Sequence, residues 1–168
     1  MSRFGAGFLG GHVRKSTFVP AATGTVAGNM SLSAFAFDGL TNVTSAKCAV
    51  RSGGATGVEG YIGKNYSPAK IIDKVVIYGA NDTGFHLNYG SQGVTLSLYG
   101  KNGSAPSSGT DGTLLGTISI PSNINESAGR TITSFDHATF WDYVWVNNPP
   151  LNSNYIPICA ELEIYELA

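Results

Sequence analysis

The side chains that most often carry out catalysis are few and scattered in this 168-residue chain. His12, His86 and His137 are its only histidines, and none stands at a metal-binding spacing from another. Asp136 and His137 are neighbours, but adjacent strand residues face opposite ways, so they do not combine as an acid–base pair. No Gly-x-Ser-x-Gly turn is present to expose an activated serine. Gly5–Gly10 spells a literal Gly-x-Gly-x-x-Gly, yet no strand precedes it and no helical period follows, as a dinucleotide site requires. The sequence therefore predicts a protein that is not an enzyme. Recognition chemistry is better represented. A sugar ring has an apolar face and a hydroxyl rim, so its site pairs an aromatic surface with planar polar groups. The polar stretch Asn81–Gln92 offers His86, Asn88 and Tyr89, and Arg51 follows a candidate strand. The competing role for Phe85 and Tyr89 is to pin that stretch onto the body of the protein.

The elements that would hold such a loop are strands. Charged residues make up only 12% of the chain against 42% hydrophobic, and there are 22 glycines. That is the makeup of many short strands joined by polar turns, within the length of one domain. A net charge of −1 predicts neither a nucleic-acid surface nor attraction to an anionic membrane. No segment approaches the apolar length of a membrane span, and the first fifteen residues lack the apolar run of a secretory signal. The expectation is a protein made in the cytoplasm. Asn-x-Ser/Thr triplets begin at Asn29, Asn42, Asn65, Asn81, Asn102 and Asn125 and follow from the composition. Cys48 and Cys159 are expected as buried free thiols. The alternative, one disulfide closing most of the domain, would add roughly 4–5 kcal/mol in the chain-entropy model.

Residues 1–15 read as an extended Gly-rich arm bearing Phe4, Phe8 and Leu9, and residues 16–168 as the folded domain. Strands are predicted at Ser16–Pro20, Ala46–Arg51, Val58–Gly63, Lys70–Tyr78, Val94–Tyr99, Thr113–Ile120, Arg130–Phe135, Phe140–Asn147 and Ile158–Tyr165. Alternation points Val94, Leu96 and Leu98 inward, and likewise Ile158, Ala160, Leu162 and Ile164. Period two also puts Trp141, Tyr143 and Trp145 on one face, with core as the expected setting. Lys101–Gly112 is a loop by every local signal. The pattern predicts an all-β sandwich or jelly roll.

In order along the chain, Ala36–Gly39, Gly60–Gly63, Ile72–Gly79, Gly93–Gly103, Asp142–Asn147 and Ala160–Tyr165 resemble the ordered motifs of the discoidin, or factor V/VIII C-type, family. The resemblance spans roughly Phe35 to Tyr165. Two departures stand out: Cys48 falls where the family usually has Trp, and Trp145 replaces an Arg in the penultimate strand. The set YIGKNY, YGANDTGF, LYGKN and SGTDGTLLG is also similar to a variant found among bacteriophage structural proteins.

The resemblance implies a single-domain, galactose-binding-like jelly-roll β-sandwich that binds rather than catalyses. It implies a structural calcium ion, which takes oxygen ligands from a tight loop. Asp38, Thr41 and Thr44 would supply that loop, and Glu161 matches the family's C-terminal glutamate; the alternative is that Asp38 is a plain turn residue and Glu161 an exposed strand residue. The function expected first is a virion structural or adhesion protein. Its partners would be neighbouring virion proteins, a second copy of itself, or a cell-surface carbohydrate. The alternative is a free carbohydrate-binding module of a bacterial surface or secreted glycan-active system.

Overall fold

The computed structural model describes residues 14–51, 57–87, 92–121, 125–150 and 155–168, so most of the expected N-terminal arm lies outside the described residues. Among the described residues thirteen strands follow one another: β1 (Ser16–Val19), β2 (Thr25–Gly28), β3 (Met30–Ser31), β4 (Ala49–Arg51), β5 (Gly60–Lys70), β6 (Ile72–Tyr78), β7 (His86–Leu87), β8 (Val94–Lys101), β9 (Thr113–Ile120), β10 (Arg130–Thr133), β11 (Trp141–Asn148), β12 (Ile156–Cys159) and β13 (Glu161–Leu167). The only helical elements among the described residues are 3-10 turns at Ser33–Phe37 and Ser45–Lys47.

The strands form two main layers, as the alternation requires. One sheet has the order β2-β5-β11-β8-β9 and the other β1-β13-β6-β10. A small third sheet, β3-β4-β12-β7, closes one end. All pairings are antiparallel. Ile62, Leu96, Leu98, Val144 and Val146 from the first sheet meet Ile72, Val75, Ile77, Ile132, Leu162 and Ile164 from the second in one core. Burying these aliphatic side chains drives the two sheets together, at about 25 cal/mol per Å² of apolar surface removed from water. Cys48 and Cys159 are buried and not bonded to each other, as expected.

Among the departures from simple alternation, two have a clear local cause. A register shift between Trp141 and Tyr143 displaces the β11 pairing, so Trp141 joins the core while Trp145 keeps the opposite, outer face. The two tryptophans expected on one side are thus on different sides. Ile158–Tyr165, expected as one strand, is broken by a bend at Ala160 into β12 and β13. Around that bend both faces are buried, because the small sheet covers what would otherwise be the outside; Cys159 and Glu161 are therefore interior.

Leu98→Ala is expected to cost about 2–5 kcal/mol of unfolding free energy in a urea titration, because it opens a cavity between the sheets. Leu114→Ala, at a side chain 46% exposed, should cost below about 1 kcal/mol. Equal losses would mean that the interior does not lie where the alternation puts it.

Candidate functional site

A cleft of about 490 Å³ opens at the end of the sandwich where β4 stops and β5 begins. Its walls are Asn29, Arg51, Gly57, Val58, Glu59, Tyr61, Ser107, Ser108 and Pro150. They come from four separate connections, so the site exists only in the folded chain.

Asn29 organises one side. Gly28 precedes it at φ +145°, and a Cβ there would lie 2.3 Å from Tyr61 O, so only glycine allows this close approach to β5. The approach lets the Asn29 N–H donate to Tyr61 O (3.0 Å). The Asn29 side chain continues the ladder: its Oδ1 accepts the Tyr61 N–H at 2.9 Å and its Nδ2 donates to Glu59 O at 3.2 Å. Arg51 Nη1 donates to Asn29 O at 3.3 Å, while Arg51 Nε is buried without a hydrogen-bond partner.

The opposite wall is the β8–β9 loop, residues 102–112. It folds back over the outer face of the five-stranded sheet. Trp145 Nε1 donates to Gly109 O (2.7 Å), Glu59 Oε1 accepts the Gly109 N–H (2.7 Å), and the Tyr61 hydroxyl donates to Pro106 O (3.3 Å). Asp111 locks the loop internally, accepting from Lys101 Nζ at 2.7 Å and from Ser107 N and Oγ, each at 2.8 Å. The Lys101 hydrogen bond, followed by those from Ser107, holds the Asp111 carboxyl below the usual carboxylate range. Burial raises the Tyr61 phenol above its ordinary value; the Glu59 charge adds to the rise and Arg51 opposes it.

Of the residues expected at a recognition surface, Arg51 lines the cleft. His86 does not reach it. Its side chain is 0% exposed, because residues 84–86 turn inward and Phe85 enters the core. The His86 Nε2 lies 3.2 Å from Pro149 O, and since a carbonyl only accepts, this nitrogen carries the proton. His86 thus braces Pro149, the neighbour of the cleft residue Pro150. Asn88 and Tyr89 lie outside the described residues. Asn29, Glu59, Tyr61 and the two serines were not anticipated. The signal available for them was a rare acid, Glu59, just after a Gly-rich segment and just before a strand.

The pair Asp136 and His137 is used structurally. Asp136 Oδ1 accepts the amides of Ala138 and Thr139 at 2.8 and 3.1 Å, and His137 Nε2 faces Asp73 Oδ1 at 3.6 Å.

The expected calcium residues are only partly gathered. Glu161 Oε2 accepts the N–H groups of Asp38 and Gly39, both at 3.0 Å, and Asp38 Oδ1 accepts the Leu40 N–H at 2.9 Å. Burial pushes the Glu161 carboxyl up to about 7; the amide of Gly39 counters this and the Asp38 charge reinforces it. A nearly buried carboxylate beside a second one fits a hard cation. Thr44 is turned into the 3-10 segment, its carbonyl accepting from Lys47 N–H at 2.9 Å. No hydrogen bond or ion pair ties Thr41 to Asp38 or Glu161 among those described. No three of His, Cys, Asp and Glu converge on a metal position among the described residues. A cation there would draw most of its ligands from carbonyl and hydroxyl oxygens.

No family model matches the sequence, and no curated protein matches it by sequence. Solved structures do match. The family 32 CBM (carbohydrate-binding module) from C. perfringens NanJ, in complex with galactose, superposes with a TM-score of 0.60 at 17% identity, over 90% of this chain and 100% of that one. Chitosan-binding module 1 from a Paenibacillus sp. IK-5 chitosanase/glucanase gives 0.55 at 18% identity, over 88% and 98%. The CBM32 of AlyQ, in complex with 4,5-unsaturated mannuronic acid, gives 0.54 at 19%, over 83% and 92%. The fold is the discoidin-like β-sandwich. At these identities the likeness concerns the fold alone.

Burial holds the His86 imidazole below its ordinary pKa, so in the range between the two values the unfolded chain binds the extra proton and acid favours unfolding. The stabilising contribution of neutral His86 is therefore present above about pH 6.5 and lost as pH falls. Unfolding free energy should drop more steeply between pH 7 and pH 5 in the wild type than in His86→Gln, measured by denaturant titration at each pH. Parallel slopes would show that His86 is not buried uncharged.

Proposed function

We propose that this chain is a non-catalytic glycan-recognition module whose site is the Arg51 cleft. The observation that carries this reading is the arrangement of Arg51, Asn29, Glu59, Tyr61 and two serines around one open cleft. A guanidinium, a carboxylate and hydroxyls there suit the donor–acceptor rim of a sugar. The resemblance to modules solved with galactose and with an unsaturated mannuronic acid supports it. Between the two roles expected from the sequence, these comparisons favour a carbohydrate-binding module over a virion component. The partner in this reading is a carbohydrate.

Arg51→Ala should weaken glycan binding at least about tenfold, the loss expected when a charge-assisted hydrogen bond is removed. Isothermal titration with the best binder from a glycan array would measure it, with thermal melting as the control for folding. A wild-type protein that binds no glycan, or an Arg51→Ala protein that binds as well as wild type, overturns the reading.

We further propose that Asp38 and Glu161 hold a calcium ion with a structural role. It would offset the desolvation of the buried Glu161 carboxylate beside the Asp38 charge and fasten the loop at residues 38–44 to β13. Calcium should raise the melting temperature of metal-stripped protein by several degrees, and Glu161→Gln should remove that response. Identical melting in calcium and in chelator would rule the ion out.

A further inference from the structure

We propose that the cleft selects uncharged sugar residues through Arg51 and Glu59 acting as a fixed pair of opposite charges, with Glu59 the specificity-determining residue. This rests on the glycan reading of the cleft and adds the charge class of its ligand.

Both charges line the same cleft, and no salt bridge joins them among the described residues. Asn29 links the two residues: its carbonyl accepts from Arg51 Nη1 and its side chain donates to the Glu59 backbone carbonyl, while the Gly109 amide holds the Glu59 carboxylate. Each group is tethered by one hydrogen bond: Glu59 Oε1 accepts the Gly109 N–H, and Arg51 Nη1 donates to Asn29 O. The Tyr61 phenol responds to both charges in opposite directions, which places it under the influence of each. The nearby Asp111 is neutralised by Lys101, so it adds little net field.

Adjacent hydroxyls of a pyranose match this pair, since one can donate to the carboxylate while the next accepts from the guanidinium. A sugar carboxylate that approached Arg51 would meet Glu59, and a sugar ammonium that approached Glu59 would meet Arg51. Rejection by like charge is a usual source of specificity in a preorganised site.

The test is a glycan array carrying neutral, carboxylate-bearing and amine-bearing sugars, probed with wild type and with Glu59→Gln. Gln keeps an oxygen for the Gly109 amide, so melting should stay at the wild-type value. Neutral glycans should lead for wild type, with affinity unchanged from low to high salt. In Glu59→Gln, the affinity for acidic relative to neutral glycans should rise about tenfold, a change that loss of a purely structural contact would not produce. Wild-type preference for acidic or amine-bearing glycans, salt-sensitive binding, or an unchanged acid-to-neutral ratio in Glu59→Gln overturns this inference and leaves the glycan reading standing. Wild type binding nothing on the array overturns both.

Discussion

A five-stranded sheet packed on a second layer buries one face and leaves the other to solvent. Here the outer face carries Trp145 and Tyr61, which water would not favour, and no further sheet covers them among the described residues. The β8–β9 loop does. Trp145 is fully buried beneath it, stacked at 5.8 Å on Tyr99 with 14° between the planes, and its indole N–H ends on Gly109 O. A Cβ at Gly112 would lie 2.6 Å from the Trp145 ring, so the loop descends onto the indole as closely as a backbone can. Covering the indole is what draws residues 102–112 across the sheet. Ser107 and Ser108 reach the cleft as a consequence.

The other wall depends on a different constraint, the shortage of partners at a sheet edge. β2 ends at Gly28, and the next residue must still satisfy the start of β5. Asn29 does this with backbone and side chain together, and so couples the β2–β3 connection to the strand that carries Glu59 and Tyr61. Arg51 is held on the same residue. The cleft is therefore bounded by groups whose positions are set by hydrogen bonds needed for folding. Binding then spends little further free energy on ordering them.

The fold was largely legible because it rests on period two. Val94, Leu96 and Leu98 could be assigned to the interior from their spacing, and Thr113–Ile120 from its bounds. The errors fall where period two fails. Trp141 and Trp145 were joined because a register shift in the opposing pairing leaves no mark in the strand that suffers it. Ile158–Tyr165 was drawn as one strand because the bend at Ala160 is caused by the small sheet, a tertiary event. The site was less legible for a related reason. Arg51 is legible because it stands at the end of a candidate strand. Asn29 and Tyr61 were missed because each looks locally like a turn residue or a strand residue. Their convergence depends on which connections share one end of the sandwich. His86 is not legible as interior because it sits in a polar stretch, and only the fold shows Phe85 drawing residues 84–86 inward.

The separation between what builds the sandwich and what lines the cleft bears on how far the fold can speak for function. The core is aliphatic and sits between sheets, and any sequence with the same alternation could supply it. The cleft sits on connections and the strand ends beside them, where core packing restricts the residue type least. Modules of this fold can therefore keep their interior while changing the charge of their ligand. Arg51 and Glu59 lie outside the core cluster, and both line the cleft with opposite charges. Similarity at the level of the sheets therefore leaves the ligand open. The few side chains that narrow it are those that the folded chain holds in place and leaves short of partners.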